Sequence, residues 1–156
     1  MVYSGGCQCG QICYEVRSQP LTIYACHCTE CQRQSGSAFG MSMPVLRSSL
    51  VILKGEPKTW SRETASGCQV TCHFCSACGT RLFHQPSRNP AIINLKPGTL
   101  DDTSWLQAIG NLWTQRAQPW VTLNDEMLNY TGQPTPEEFE RLYAIFSQTH
   151  TDSSLL

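Results

Sequence analysis

Residues 26–36, CHCTECQRQSG, place three cysteines and a histidine in the first six positions, and neither residue type returns until Cys68. Structural zinc sites close with a fourth ligand. The stretch is therefore half of a tetrahedral site completed elsewhere, or a three-thiolate site with one position left open. The choice decides whether the chain folds around a scaffold metal alone or also around a reactive one.

The chain has 156 residues, enough to bury a core without a partner. Charged residues make up 15%, the formal net charge is −1, and the basic residues are scattered. That balance argues against a nucleic-acid binder, which carries a basic stripe. Ten cysteines need an explanation: a secreted disulfide framework, or a reduced chain that uses thiolates for metal. The opening MVYSGGCQCG shows neither a basic n-region nor an apolar h-region. No stretch approaches the roughly 18 apolar residues of a membrane span. Cysteines one or two positions apart also staple little if paired with each other. The expectation is a reduced, cytoplasmic, metal-binding chain with no membrane association.

The first hundred residues read as short strands broken by turns. Residues 11–16 alternate, with Ile12, Tyr14 and Val16 on one face. Val51–Leu53 runs into the turn signal Lys-Gly-Glu-Pro at 54–57 and then Thr59-Trp60. Residues 69–74 alternate again, placing Val70, Cys72 and Phe74 together; 80–84 and 91–95 are short and strand-like. The pattern predicts a mainly β, antiparallel body. The stretch TPEEFERLYAIFSQ differs: Thr135, Pro136 and Glu138 make a capping box, and Phe139, Leu142, Tyr143 and Phe146 form one apolar stripe. The expected organisation is one zinc-binding domain over 1–134, a helix over 135–149 packed on it, and a flexible tail over 150–156.

Two loops carry paired cysteines followed by glycine: Cys7-Gln-Cys9-Gly10 and Cys75-Ser-Ala-Cys78-Gly79. Glycine suits a tight turn around a metal, where backbone N–H groups point back at the sulfurs and φ turns positive. Together Cys7, Cys9, Cys75 and Cys78 make a closed four-thiolate zinc site with no room for substrate. Its role is structural, closing a loop of roughly 65 residues.

Cys26, Cys28 and Cys31 then form a second, three-thiolate set. Thr29 is the expected N-cap of a short helical turn whose N–H groups stabilise thiolate charge. A zinc held by three sulfurs keeps one vacant position for water or an incoming thiol. His27 projects away from its neighbours' shared focus and reads as an orienting or surface group rather than a ligand. Cys68 and Cys72 read as small buried hydrophobes, and Cys13 is assigned no role.

The blocks GGCQCGQICYEV (5–16), CHCTECQRQSGSAFG (26–40), FCSACGTRLF (74–83) and NLWTQRAQPW (111–120) resemble the glutathione-dependent formaldehyde-activating enzyme family, which includes centromere protein V. The order and spacing are similar over about residues 3–132. The resemblance implies a β-tent fold with two zinc ions: a structural one on Cys7, Cys9, Cys75 and Cys78, and a catalytic-type one on Cys26, Cys28 and Cys31. It implies glutathione as the thiol co-substrate, a small aldehyde as its partner, and condensation with formaldehyde to S-hydroxymethylglutathione, a carbon–sulfur lyase run in reverse. Asn111 stands where many relatives carry histidine.

A glutathione site needs cations for carboxylates and an apolar wall. Arg33, Arg62 and Arg116 are the candidate grips, with Arg81 beside them, and Trp113 and Trp120 are candidate walls. The rival readings are a non-catalytic zinc-fold binding module and a thiol redox sensor at 26–31. The oligomeric state is left open, a homo-oligomer included.

Overall fold

The computed structural model describes residues 1–64 and 66–151. Most of the tail expected over 150–156, from residue 152 onward, lies outside the described residues. Among the described residues there are eleven strands and two α-helices, so the chain is mainly β as expected. In order they are β1 (Tyr3–Gly6), β2 (Cys13–Val16), β3 (Tyr24–Cys26), α1 (Thr29–Ser35), β4 (Gly40–Leu46), β5 (Leu50–Lys54) and β6 (Lys58–Glu63). Then follow β7 (Gln69–Phe74), β8 (Arg81–Pro86), β9 (Ile92–Leu95), β10 (Gly110–Leu112), β11 (Leu128–Asn129) and α2 (Pro136–Thr151).

The chain forms two compact units. The first comprises Met1–Pro20 and Met43–Trp105, the second Leu21–Ser42 and the chain from Leu106 onward. In the first, β1, β2 and β5 make an antiparallel sheet in that order. Ile12, Tyr14 and Val16 are all buried there, as their period-two pattern requires. Strands β6 to β9 form a second antiparallel run, and Met43–Leu46 of β4 pairs with β9. Val70 and Cys72 point inward, while Phe74, third in that expected row, is only half-buried beside a break in the β7–β8 register.

In the second unit β3 pairs antiparallel with residues 40–42 of β4 and parallel with β10, which pairs parallel with β11. The parallel pairs depart from the antiparallel expectation. Some eighty residues separate β3 from β10 in sequence, and a long connection is what parallel neighbours need. Helix α2 begins at the expected capping box: Thr135 N–H donates to Glu138 at 2.7 Å and Glu138 N–H to Thr135 Oγ1 at 3.2 Å. It runs past the expected end at 149, and His150 in its last turn stacks on Phe146 at 3.9 Å. Its stripe buries Leu142 and Phe146 completely, Leu142 against Tyr24, Cys26 and Leu112. Burying two such side chains contributes about 1.5–3 kcal/mol each, which anchors the helix through its apolar stripe.

Candidate metal centre

The first unit gathers Cys7, Cys9, Cys75 and Cys78 with all four sulfurs within 4.8 Å of one another. Cys7 and Cys9 stand 3.5 Å apart, Cys9 and Cys75 3.7 Å. A tetrahedron with Zn–S bonds of about 2.3 Å has sulfurs about 3.8 Å apart, so the set fits zinc. Gly10 and Gly79, directly after the pairs, both take positive φ, +72° and +75°. The turns they close aim N–H groups inward: Ile12 N–H donates to Cys7 Sγ at 3.2 Å. Burial works to raise the Cys7 thiol, but that bond and its sulfur neighbours outweigh it and lower it. The Thr80 hydroxyl, 3.1 Å from Cys78 Sγ, leads the causes that bring Cys78 down to about 6. Cys9 is pushed the other way, up to about 12, its N–H bond from Gln11 outweighed by burial and by the other three sulfurs.

The second unit gathers Cys26, Cys28 and Cys31, again within 4.8 Å, and no fourth donor from a described residue joins them. Cys26 ends β3, Cys28 caps α1 and Cys31 lies in its first turn. The cap is Cys28, not Thr29: its sulfur accepts from Cys31 N–H at 3.4 Å. Gly40 stands opposite Cys26 in the β3–β4 register, and a Cβ there would lie 3.3 Å from Cys31 Cβ. The bare glycine lets α1 seat Cys31 against the strand that carries Cys26. Hydrogen bonds from the Cys26 and Cys31 thiols, with the N–H groups of Cys31 and Glu30, pull Cys28 well below the ordinary thiol range and push Cys26 up. Tyr24 is raised by burial first and by these sulfurs second.

His27, between two of the thiols, is fully buried and does not enter the sulfur cluster. Its Nε2 meets Asn111 Oδ1 at 3.0 Å, so it orients rather than ligates. Its carbonyl accepts from Gln32 Nε2 at 2.6 Å, and the same Gln32 nitrogen donates to Arg116 O at 2.9 Å. Gln118 closes the brace by donating to Gln32 Oε1. Trp113 packs on the same core as Cys28 and Cys31 and holds φ at +58°, the one positive-φ residue other than glycine among those described. A tryptophan in the left-handed region costs about 1–3 kcal/mol and survives only where its surroundings impose it. Neither Gln32 nor the left-handed Trp113 leaves a signal in the sequence.

The family model for the glutathione-dependent formaldehyde-activating enzyme matches residues 2–116. The chain belongs to this family. A Rhodobacter sphaeroides protein, known from a structural-genomics crystal structure, is similar in fold, with a TM-score of 0.53 at 22% identity over 65% of this chain and 91% of its own. No curated protein matches the chain.

The expected grips of this formaldehyde-activating family member are distributed between the units. Arg33 on α1 pairs with Glu30 at 3.4 Å and is largely exposed, and Arg116 is exposed in the turn braced by Gln32. Arg62 belongs to the first unit, on β6, where its charge reaches His84. Trp120 is 75% exposed, whereas Trp113 is half-buried. Cys68 and Cys72 are buried outside both sulfur groups, and Cys13 joins neither. No helix among the described residues is long and apolar enough to cross a membrane.

Proposed function

We propose that the protein is a zinc-dependent enzyme of carbon–sulfur lyase type that forms or cleaves glutathione adducts of small aldehydes, S-hydroxymethylglutathione being the formaldehyde case. One observation carries the reading: the Cys26, Cys28 and Cys31 sulfurs form a metal-sized set of three, where a purely structural site uses four. Family membership supplies the thiol and the aldehyde. A zinc ion bound there would hold the thiol of glutathione as thiolate beside the carbonyl carbon.

The chain's own part is to position and to balance charge. The N–H groups of Glu30 and Cys31 absorb negative charge at Cys28, and the Gln32 brace holds α1 against the 114–116 turn. Arg33 and Arg116, in the same unit as the three sulfurs, are proposed as cations for the tripeptide's carboxylates. The addition needs no redox partner. As the S–C bond forms, the carbonyl π pair moves to oxygen, and the proton lost by the thiol ends on that oxygen. The closely spaced thiols favour a reducing, cytoplasmic setting for this chemistry.

Exchange spectroscopy on 13C-formaldehyde and glutathione tests the reading, with zinc-loaded wild type compared against Cys28→Ser. Thiols add to formaldehyde without help, so the expected result is exchange faster than the protein-free rate, rising with wild-type concentration and absent in the variant. Exchange at the protein-free rate would overturn the enzyme reading in favour of a binding module.

A further inference from the structure

Seven buried side-chain atoms among the described residues lack a hydrogen-bond partner. Four of them belong to three residues of β7 and β8: His73 Nε2, Arg81 Nε, Arg81 Nη2 and His84 Nδ1. Arg81 stands opposite Phe74 in the β7–β8 register, and the neighbouring His73 stacks on Phe83 at 4.1 Å.

Burial leads the causes that hold the His84 imidazole toward neutrality, and the positive charges of Lys96, Arg81 and Arg62 add to it. The charges of Arg47 and Arg81 also reach His73. Arg17 pairs with Glu15 and Arg33 with Glu30, whereas Arg81 pairs with no carboxylate among the described residues. A guanidinium keeps its proton, and a buried donor without an acceptor is costly. An orphan of this kind calls for a bound group.

The shape of the orphan says which group. Nε–H and Nη2–H lie on one edge of the planar guanidinium, the edge that grips two oxygens of a carboxylate or phosphate in parallel. We propose that Arg81 anchors an oxyanion site in the first unit, taking a carboxylate or phosphate group in the positive field of Arg47, Lys96 and Arg62. Arg81 is only half-buried as a residue, so part of it faces solvent. The site stands on its own residues, independent of the zinc chemistry proposed for Cys26, Cys28 and Cys31.

The test uses zinc-loaded full-length protein and two probes that carry no thiol: inorganic phosphate and acetate, titrated separately at low ionic strength. The readout is the backbone 15N–1H resonances of β7 and β8, joined in wild type by the Arg81 15Nε–1H resonance, with Arg81→Gln and Arg81→Lys as variants of confirmed zinc content. Binding is expected to saturate, to vanish in Arg81→Gln, and to weaken at least about tenfold in Arg81→Lys, which keeps the charge but loses the fork. Saturation by phosphate alone assigns a phosphate ligand, and by acetate alone a carboxylate; saturation by both assigns an unselective oxyanion site. No saturable shift with either probe overturns the proposal. So does wild-type affinity in Arg81→Lys, which also serves if Arg81→Gln does not fold.

Discussion

His27 and Asn111, 84 positions apart, meet side chain to side chain with 3.0 Å between imidazole Nε2 and amide Oδ1. The direction of this bond is fixed from its far end. Asn111 Nδ2 donates to Asn129 Oδ1 at 2.9 Å, and Asn129 Nδ2 donates to the Asn124 carbonyl at 2.9 Å. Asn111 must therefore present its oxygen to His27, which carries its proton on Nε2. The relay pins the residue between Cys26 and Cys28 to β10 and β11, and so sets where two of the three sulfurs sit.

Asn111→Leu removes the acceptor of a fully buried N–H and the donor to Asn129. The orphaned His27 N–H costs about 1–3 kcal/mol, while the exposed Asn129 turns to water, so urea denaturation should show a loss in that range. Metal affinity at the 26–31 set should fall about 10- to 100-fold in chelator competition, as when supporting partners of a metal site are removed. Unchanged stability together with unchanged affinity would show that the relay is decorative.

Cys28→Ser should remove one zinc and spare the fold. Serine is itself a good N-cap, so α1 keeps its first hydrogen bond while the three-sulfur set loses a member. Elemental mass spectrometry on protein purified under reducing conditions should fall from two zincs per chain to one. Loss of both metals with unfolding would mean that the cysteines are partitioned wrongly.

Cys78→Ser has the opposite expectation. A structural four-thiolate zinc contributes roughly 10–16 kcal/mol of apparent folding free energy, against a total stability of about 5–15 kcal/mol for a domain. Breaking that set, which ties residues 7–9 to 75–78, should abolish the cooperative melting transition. A wild-type melting temperature would sink the structural assignment.

Much of this was legible in the sequence because the signals are local. Ile12, Tyr14 and Val16 alternate, the box from Thr135 to Glu138 announces α2, and each paired-cysteine loop carries its own glycine. Strand β3 gave no such cue, since its three residues are all buried and so do not alternate, and its parallel partner β10 lies some eighty residues further along the chain. Thr29 looked like the cap by residue type, but the Cys28 sulfur takes the N–H instead. The Arg81 fork is invisible in sequence because an orphan is defined by what the fold fails to place beside it.

His84 should make stability depend on pH with a definite sign. Burial first, then the charges of Lys96, Arg81 and Arg62, hold its folded value well below the ordinary 6.5. Between those two values the unfolded chain binds a proton that the folded chain refuses. The stabilising contribution is therefore complete above about pH 6.5 and is lost as pH falls below it, at up to about 1.4 kcal/mol per pH unit for one group. His84→Gln keeps a polar side chain and cannot titrate. Urea denaturation in half-unit steps from pH 7.5 down to 5.5 should give a shallower decline for the variant than for wild type, with the difference opening only below about pH 6.5. Thiolate protonation at the zinc sites bears on both proteins equally and drops out of that difference. Parallel curves over the whole range would mean that His84 takes its proton in the folded state as readily as in the unfolded one, against the burial and the cations that surround it.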